Sequence, residues 1–410
     1  MTQILFSVDP DASLDRQLER LGRLPPLPPF GDLSRAFVAD FARRVFALPV
    51  LRAHPELATL AHWFRPAAQE HLSRRLQVPD NEHLLARGLV FHLAPANVDV
   101  LFAYAWLMSV LAGNRNIARL SQKPSTQRDA LVSILAAMHR EGVHEEVLQR
   151  SVLLTYPHDD ATTALLSSRC HARIIWGGDA TVAKIRSLPL APLALELAFP
   201  DRFGVAAIDA ATIVQANDSD LDELVHRFVN DVLWFGQQAC SSPRTLYWVG
   251  PQDTVDTARS RFWPLVRAHS VGMEDEPAAL MTRVTDAHLM AALAPGMRAA
   301  GPLGDYPLTL AADRADGALR ELQSGYGLVV DVRLESLSAL APQLDDRDQT
   351  LVQHGFSRAA LLDLLNRLDN RALDRVVPFG RALDFHPVWD GTELLGVLTR
   401  KVVLSKSSSS

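Results

Sequence analysis

The sequence predicts an α/β protein in which two layers of parallel strands and helices follow a helical N-terminal region. Two series of strands that alternate with helices, one from about residue 88 and one from about residue 205, indicate parallel sheets with helical crossovers. The chain has 410 residues, 48% of them hydrophobic and 21% charged. This length predicts more than one domain, because single cores stop growing at about 250–300 residues.

Residues 1–87 are predicted to form the helical N-terminal region. Segment 33–46 places apolar residues at helical spacing. The prolines of segment 25–29 cannot lie inside a helix, because proline lacks the amide hydrogen and clashes with the preceding turn. We therefore expect helices joined by one stiff connector.

Residues 88–204 are predicted to form the first α/β layer. The expected elements are a strand at 89–94, a helix at 99–111, a strand at 116–120, a helix at 127–140 and a strand at 173–176 that leads into a further helix. Because strands and helices alternate, the strands should lie parallel in one sheet.

Residues 205–377 are predicted to form the second α/β layer, and residues 378–410 a C-terminal return segment. The expected elements are a strand at 203–208, a helix at 220–235, a strand at 245–249 and a last strand at 401–404. The serines at 407–410 are expected to be a flexible tail.

Charge and apolar patterning exclude two kinds of partner. A net charge of -6 and a pI near 6.2 give no general attraction to nucleic acid or to anionic lipid. The first residues lack the basic and apolar regions of a secretory signal, and no apolar run reaches the ~20 residues that span a bilayer. We therefore expect a cytoplasmic protein that binds neither nucleic acid nor membrane.

Several classes of catalytic and metal site are also excluded. The two cysteines are too few for a disulfide framework or a Cys-rich metal site, and the 14 histidines do not fall at metal-ligand spacing. HExxH, P-loop and GxSxG motifs do not occur in the sequence. The sequence thus predicts no metal, and it argues against zinc peptidases, NTPases and serine hydrolases.

Cys240 is the candidate nucleophile. It lies among small and polar residues in segment 234–244, between a predicted helix and a predicted strand. A closely packed polar connection can expose a thiol to substrate while backbone N–H groups stabilise its thiolate. The alternative is a buried and inert cysteine, which is the commoner fate of an unbridged thiol. Cys170, which precedes a strand, is expected to be structural.

Asn97 and Glu196 are candidates for supporting roles in catalysis. Asn97 follows the strand at 89–94, where its amide could donate a hydrogen bond to an oxyanion, or could instead satisfy the turn or cap the next helix. Glu196 is flanked by apolar residues near the junction of the two layers. It could be a base with a raised pKa, or a helix-surface or paired carboxylate.

Two segments are candidates for binding the phosphates of a cofactor. Gly177 and Gly178 lie between a strand and a helix, where backbone can approach a phosphate, although an ordinary tight turn explains them too. Arg119, Ser121 and Lys123 follow another strand, and the two cations could meet a ribose 2′-phosphate or simply form a solvated loop.

These segments together resemble the acyl-CoA reductase family typified by the long-chain fatty acyl reductase of bacterial bioluminescence (LuxC-like), a branch of the aldehyde dehydrogenase superfamily. The most specific similarity is segment 235–243, Phe-Gly-Gln-Gln-Ala-Cys-Ser-Ser-Pro, which looks like the family's nucleophile segment with Cys240 in place. The resemblance extends over about residues 88–404 and includes the C-terminal run 375–385. It implies an aldehyde-dehydrogenase-like fold, with a Rossmann-type cofactor domain and an α/β catalytic domain.

The sequence departs from the family at several positions. Ala96-Asn97-Val98-Asp99 stands where the family usually has Gly-Asn-Val-Pro, and Arg119 stands where the superfamily commonly has lysine. Around 325–327 no glutamate matches the one that contacts the cofactor ribose in the superfamily. Glu196 aligns with the superfamily's base, but the glycines that usually follow that base are absent.

The resemblance implies that Cys240 attacks an acyl thioester, with the oxyanion held by the Asn97 amide and the Cys240 backbone N–H. NADPH, or NADH as a possible substitute, would lie at Gly177, Gly178, Arg119, Ser121 and Lys123 and reduce the acyl group to an aldehyde. The alternatives are an NAD(P)-dependent aldehyde dehydrogenase that forms acid, a cysteine acyltransferase that needs no cofactor, and a scaffold that keeps only the fold.

The same resemblance implies the partners. The acyl group would come from CoA, from a carrier protein or from a partner acyltransferase or synthetase. Superfamily members often pair through C-terminal strands, so a homo-oligomer is expected by analogy.

Overall fold

The structure is a computed structural model that describes residues 2–94, 100–273, 277–294, 296–315 and 317–405. It is an α/β protein with parallel sheets, as expected, and it divides into two compact units. The first unit comprises Met1–Pro200 together with Phe385–Ser410, and the second comprises Asp201–Asp384.

A run of helices follows the first strand, and strands and helices alternate along most of the remaining chain. In residues 1–200 the strands are β1 (Gln3–Phe6), β2 (Glu82–Ala86), β3 (Leu89–Leu93), β4 (Arg115–Arg119), β5 (Ser151–Thr155), β6 (Ala172–Trp176) and β7 (Leu195–Phe199). The helices there are α1 (Leu14–Arg23), α2 (Asp32–Phe46), α3 (Pro55–Trp63), α4 (Pro66–Arg75), α5 (Val100–Leu111), α6 (Thr126–Arg140), α7 (Glu145–Leu148), α8 (Asp160–Arg169) and α9 (Asp179–Arg186).

The later elements complete both units. In residues 201–384 the strands are β8 (Phe203–Asp209), β9 (Pro243–Val249), β10 (Arg298–Ala299), β11 (Leu308–Ala312), β12 (Leu328–Leu334), β13 (Asp348–His354) and β14 (Arg375–Pro378). The helices there are α10 (Ala210–Gln215), α11 (Asp218–Leu233), α12 (Gln252–His269), α13 (Pro277–Leu293), α14 (Gly317–Glu321) and α15 (Arg358–Asn366). After residue 384 come β15 (Val388–Trp389), β16 (Thr392–Glu393), α16 (Leu394–Leu398) and β17 (Thr399–Val403).

The main sheet of the first unit has the strand order β1-β5-β4-β3-β6-β7, and all its pairings are parallel except that of β1 with β5. From β3 the chain moves outward through β4 to β5, and β6 and β7 then lie on the other side of β3. The direction of winding therefore changes between β3 and β6. Open α/β sheets bind ligands at the carboxyl ends of strands at such a switch point.

The N-terminal helices belong to the core of the first unit. Helix α5 is apolar on all sides and buried almost throughout, as expected of a helix covered by other elements. Phe37 and Phe41 of α2 pack edge-on against Trp106 of α5, with ring centroids 5.8 and 5.6 Å away. Residues 1–87, expected as a region of their own, thus share one hydrophobic core with the sheet that follows them.

The C-terminal return completes the first unit. Strand β17 pairs antiparallel with β2, from Thr399 opposite Ala86 to Val403 opposite Glu82. Leu394, Leu395 and Leu398 of α16 are fully buried in the same core as α5. In the part of the chain that the structure describes, no helix is both long and apolar enough to cross a membrane.

The sheet of the second unit has the order β10-β11-β12-β9-β8-β13-β14 and is parallel except for β10. The expected helix at 220–235 ends two residues early, at Leu233, because Trp234 leaves the helical conformation with a ψ of 145°; Phe235 and Gly236 then adopt left-handed backbone conformations. Residues 378–384, expected in the C-terminal return, belong to the second unit. They are held there by Asp231 of α11, which accepts hydrogen bonds from the backbone N–H groups of Gly380 and Ala382.

Candidate active site

Cys240 lies in a turn at the amino end of β9, in the second unit. We call residues 235–243 the nucleophile loop. The turn is closed by a hydrogen bond from the Ser242 N–H to the Ala239 carbonyl, 3.0 Å long, and Cys240 is half-buried at its tip. A half-buried thiol is within reach of a substrate yet is fixed by its neighbours, which the local sequence alone could not establish.

The nucleophile loop begins with three consecutive left-handed residues. Phe235, Gly236 and Gln237 have φ values of 58°, 58° and 63°. Only glycine adopts this region without a steric penalty, and a non-glycine residue there costs about 1–3 kcal/mol. Such strained residues persist where the surrounding structure fixes them, and they cluster at functional sites.

Gly204 allows strand β8 to pack directly against the nucleophile loop. A Cβ atom at this position would lie 2.2 Å from the Ser241 carbonyl oxygen, far inside van der Waals contact. The pairings of β8 with β9 and β13 are both irregular beside Gly204. Glycine is therefore required here for close approach of the backbone next to Cys240.

A second loop, residues 325–327, is joined to the nucleophile loop by hydrogen bonds. The Tyr326 N–H donates to the Gly236 carbonyl over 2.9 Å, and the Gly327 N–H donates to Oε1 of Gln237 over 2.9 Å. Gly325 has a φ of +93°, and a Cβ there would lie 2.7 Å from Nε2 of Gln238. We call this segment the glycine loop.

Arg244 supplies a partly buried positive charge close to Cys240. Burial lowers the pKa of its guanidinium to about 10, while negative charge at Asp201, Cys240 and Asp286 acts in the opposite direction. The guanidinium lies 4.2 Å from the centroid of the Phe203 ring and donates to the Gln323 carbonyl. A fixed cation beside a cysteine favours the thiolate, which is the nucleophilic form.

Cys170 is placed as expected of a structural cysteine. It is 3% exposed, and burial raises the pKa of its thiol to about 12. Its Sγ donates to the Ser167 carbonyl. At neutral pH this thiol is protonated and shielded, so of the two cysteines Cys240 is the one suited to nucleophilic chemistry.

Gly177 and Gly178 lie at the carboxyl end of β6, at the switch point of the first sheet. Gly178 precedes the first turn of α9, and a Cβ at Gly177 would lie 3.1 Å from the Thr181 methyl group. The backbone thus approaches the helix start closely, where N–H groups favour an anion. Asp179 in the first turn adds a negative charge that acts against phosphate binding.

Arg119 ends β4 and Ser121 and Lys123 follow it, at the same edge of the sheet. Arg119 leans toward the end of β5, where it donates to the Tyr156 carbonyl over 3.3 Å and lies 5.4 Å from the centroid of the Tyr156 ring. Its Nε is buried without a hydrogen-bond partner. The Lys123 N–H donates to the Ser121 hydroxyl, and the Lys123 side chain is exposed.

Glu196 lies on strand β7 and is paired with two arginines. One carboxylate oxygen accepts from Nε of Arg173 over 2.8 Å, and the other accepts from Nε of Arg186 over 2.9 Å. Arg173 is 2% exposed and depends on this carboxylate for charge compensation. The placement favours the paired interpretation of Glu196 over that of a base. Asn97 lies outside the described residues.

The structure brings the five candidate cofactor residues to one edge of the first sheet and places Cys240 in the second unit. Sequence reasoning missed Gly204, Gln237 and Arg244 as supports of the cysteine. No local pattern in the sequence identifies Gly204 or Gln237 as a support of the cysteine. Arg244 could have been found from the sequence, because it is the first charged residue after Cys240.

Among the described residues, no group of three or more His, Cys, Asp or Glu side chains is placed to hold a metal ion.

Comparison with known proteins connects this geometry to a family. A family profile described as acyl-CoA reductase (LuxC) matches residues 72–401. The long-chain acyl-protein thioester reductase of Aliivibrio fischeri is 25% identical over 167 residues, which are 40% of this chain and 32% of that protein. The aligned part therefore spans about a third of this relative.

Solved structures of aldehyde dehydrogenases are among those that resemble this chain. Aldehyde dehydrogenase 21 of Physcomitrella patens, in complex with succinate, has a TM-score of 0.71 at 12% identity, covering 98% of this chain and 92% of its own. The NAD-dependent benzaldehyde dehydrogenase of Corynebacterium glutamicum has a TM-score of 0.68 at 11% identity, and the match covers 100% of this chain and 94% of that enzyme. The glyceraldehyde-3-phosphate dehydrogenase GapN of Methanocaldococcus jannaschii, complexed with NADP, has a TM-score of 0.65 at 14% identity. The match covers 95% of this chain and 92% of that enzyme. The expected aldehyde-dehydrogenase fold is confirmed, and because the profile matches most of the sequence, the chain belongs to the LuxC acyl-CoA reductase family.

Proposed function

We propose that this protein reduces an acyl thioester to an aldehyde with a nicotinamide cofactor, through an acyl group held on Cys240. The proposal rests on one observation above all. Cys240 is a half-buried thiol in a loop that neighbouring backbone holds closely, near the partly buried guanidinium of Arg244. Family membership and the names of the relatives support the same chemistry.

The chain's own residues would act on the acyl group in two stages. In the first, the Cys240 thiolate attacks the carbonyl carbon, the bond to the carrier sulfur breaks, and the carrier leaves as a thiol after gaining a proton. A bound nicotinamide cofactor would supply the hydride that reduces the acyl group. In the second, the bond from carbon to the Cys240 sulfur breaks, which releases the aldehyde and restores the thiolate.

Reduction rather than oxidation is supported by the pairing of Glu196. An aldehyde dehydrogenase that forms acid needs a base to activate water for hydrolysis of the acyl-enzyme. Both Glu196 oxygens are engaged by arginines, and Arg173 would be left with an uncompensated buried charge if Glu196 became neutral. Reduction requires no water-activating base, so this arrangement is compatible with it.

The residues at the carboxyl edge of the first sheet fit a dinucleotide. Gly177 provides close backbone approach at a helix start, and the edge lies at the switch point of the sheet. We propose NADPH as the preferred cofactor, with NADH as a weaker substitute. Arg119 ends the strand next to the central one, where an arginine accommodates a ribose 2′-phosphate, and Lys123 adds a second cation.

The decisive experiment follows NADPH absorbance with a panel of acyl-CoA thioesters of increasing chain length. We expect oxidation of NADPH with release of aldehyde, abolished in Cys240→Ala and retained in the matched variant Cys170→Ala. Release of thiol without oxidation of NADPH would instead support an acyltransferase. An unaffected Cys240→Ala variant would exclude this mechanism.

The cofactor preference is tested with Arg119→Ala. We expect kcat/KM for NADPH to fall roughly tenfold or more, because a charge-assisted hydrogen bond contributes about 1.5–3 kcal/mol. The value for NADH should change little, since that cofactor lacks the 2′-phosphate. Equal losses with both cofactors would contradict a phosphate-binding role.

A further inference from the structure

A buried carboxamide closes the nucleophile loop. The side chain of Gln237 is 0% exposed, its Nε2 donates to the Pro243 carbonyl over 2.8 Å, and its Oε1 accepts from the Gly327 N–H over 2.9 Å. The first bond links the two ends of the segment that contains Cys240. The second attaches that segment to the glycine loop ahead of β12.

These two bonds hold a backbone that would otherwise relax. Phe235 and Gln237 are non-glycine residues at positive φ, a region that is sterically unfavourable for a residue with a Cβ atom. The Gln237 carboxamide provides a hydrogen-bond partner for a buried acceptor, the Pro243 carbonyl, and for a buried donor, the Gly327 N–H. Removing it would leave the Pro243 carbonyl and the Gly327 N–H unsatisfied and would release the strained turn.

We propose that Gln237 is a positioning residue for the Cys240 thiol. The nitrogen and the oxygen of its carboxamide bond to backbone groups of Pro243 and Gly327. It fixes the loop so that the sulfur faces the acyl carbonyl at the angle and distance required for attack. The inference rests on the proposed function for the nature of the acyl donor, because it concerns the same thiol.

Two reactions of Cys240 separate positioning from simple support of the fold. Alkylation by iodoacetamide, a small reagent that can approach from many directions, reports whether the thiol is present and accessible. Acyl transfer from p-nitrophenyl acetate forms a bond from sulfur to carbonyl carbon and expels p-nitrophenolate, so it requires a defined trajectory. A residue that only stabilises the fold lowers acyl transfer through the folded fraction, and the same unfolding exposes the buried Cys170 to alkylation.

The experiment compares Gln237→Met, which keeps the length of the side chain but loses both hydrogen bonds, with wild type. We expect the burst of p-nitrophenolate at Cys240 to slow by roughly 10- to 100-fold, while alkylation of Cys240 stays within about threefold. Cys170 is an internal reference for alkylation, because it is buried and should react only on unfolding. The matched control is Gln69→Met, a buried glutamine of the first unit that donates to the Phe64 carbonyl over 2.8 Å.

A second variant tests the same bonds if the first does not fold. Gln237→Glu keeps an acceptor for the Gly327 N–H, but when ionised it faces the Pro243 carbonyl without a proton to donate. When protonated, it restores both hydrogen bonds in the original geometry. We therefore expect its acyl-transfer rate, divided by that of wild type at the same pH, to rise as the pH is lowered.

Each outcome decides the proposal. The proposal would be overturned if the loss of acyl transfer in Gln237→Met matched the unfolded fraction that Cys170 alkylation reports, if Cys240 alkylation fell in parallel, or if acyl transfer did not fall. A pH-independent ratio for Gln237→Glu would also overturn it. If wild type shows the ester burst but no thioester oxidises NADPH, the proposed reductase activity fails while the role of Gln237 is still measured. If wild type shows no burst at Cys240, the positioning role is excluded.

Discussion

At the scale of single residues, the two cysteines have the same side chain and opposite surroundings. Cys170 is covered by the core, which raises the pKa of its thiol to about 12. Cys240 lies on a turn beside a desolvated guanidinium, with backbone packed closely behind it. The chemistry therefore depends on residues that bring the backbone together, and Gly204 is the most sharply constrained of them.

Gly204→Ala should distort the nucleophile loop. Its new Cβ would meet the Ser241 carbonyl oxygen at 2.2 Å, and a backbone atom cannot swing away as a side chain can. We expect a loss of about 1–3 kcal/mol in the free energy of unfolding, typical of overpacking, together with slower acylation of Cys240. Urea unfolding and the p-nitrophenolate burst measure the two effects.

The control for this substitution is Gly22→Ala. Gly22 lies in helix α1, and a Cβ atom at this position would meet no neighbouring group within 4 Å. Alanine there should raise the free energy of unfolding by about 0.5–1 kcal/mol, because glycine is the poorer helix former. If Gly204→Ala were as well tolerated as Gly22→Ala, the close approach behind Cys240 would be refuted.

At the scale of elements, helix α11 is joined to the segment after β14 by one carboxylate. Asp231 accepts from the Gly380 N–H over 2.6 Å and from the Ala382 N–H over 2.9 Å. Burial raises the pKa of this carboxyl from 3.8 to about 7, with Asp384 acting in the same direction and Arg375 and the two backbone bonds against it. The junction is therefore sensitive to pH.

The sign of that sensitivity follows from proton binding. Between about pH 4 and pH 7 the folded protein keeps the Asp231 proton and the unfolded chain does not, so the stability from this group falls as the pH rises through that window. In Asp231→Asn this contribution is absent. We expect wild type to gain stability relative to the variant as the pH is lowered from 7 to 4, measured by urea unfolding. If the free energy of unfolding depended on pH in the same way for both proteins, the raised pKa of Asp231 would be contradicted.

The sequence predicted most elements and only part of the site. Alternating apolar strands and helices are local patterns, and the strands at 89–94, 173–176 and 245–249 match β3, β6 and β9 within a few residues. The end of α11 was misplaced because the non-helical backbone of Trp234 and the left-handed backbone of Phe235 leave no signature in composition. The roles of Gly204 and Gln237 depend on contacts with β9 and the glycine loop, which no local pattern contains.

At the scale of the whole molecule, the two units differ in how the chain builds them. The second is one continuous segment, Asp201–Asp384, with its own sheet and hydrophobic clusters. The first is assembled from both ends of the chain, and Phe385, Leu394, Leu395 and Leu398 are part of its core.

We expect residues 201–384 to fold when expressed alone, whereas residues 1–200 should not reach a stable fold. The fragment 201–384 keeps its complete core. The fragment 1–200 loses the buried apolar side chains of α16 and the strand β17 that pairs with β2. Circular dichroism and urea unfolding of both fragments test this expectation. Joining 385–405 to residue 200 through a glycine-serine linker is the control and should restore folding.

Because β17 and α16 complete the first unit, the first unit can finish folding only after the second unit has been translated. The first unit begins to emerge first, yet its core lacks α16 until residues 394–398 have been translated, by which time the whole second unit has been synthesised. During that interval the apolar face of α5 that α16 will cover stays open to chaperones. A premature stop near residue 385 should therefore leave a polypeptide in which Cys240 lies in a completed unit, while the incomplete first unit is a substrate for proteases.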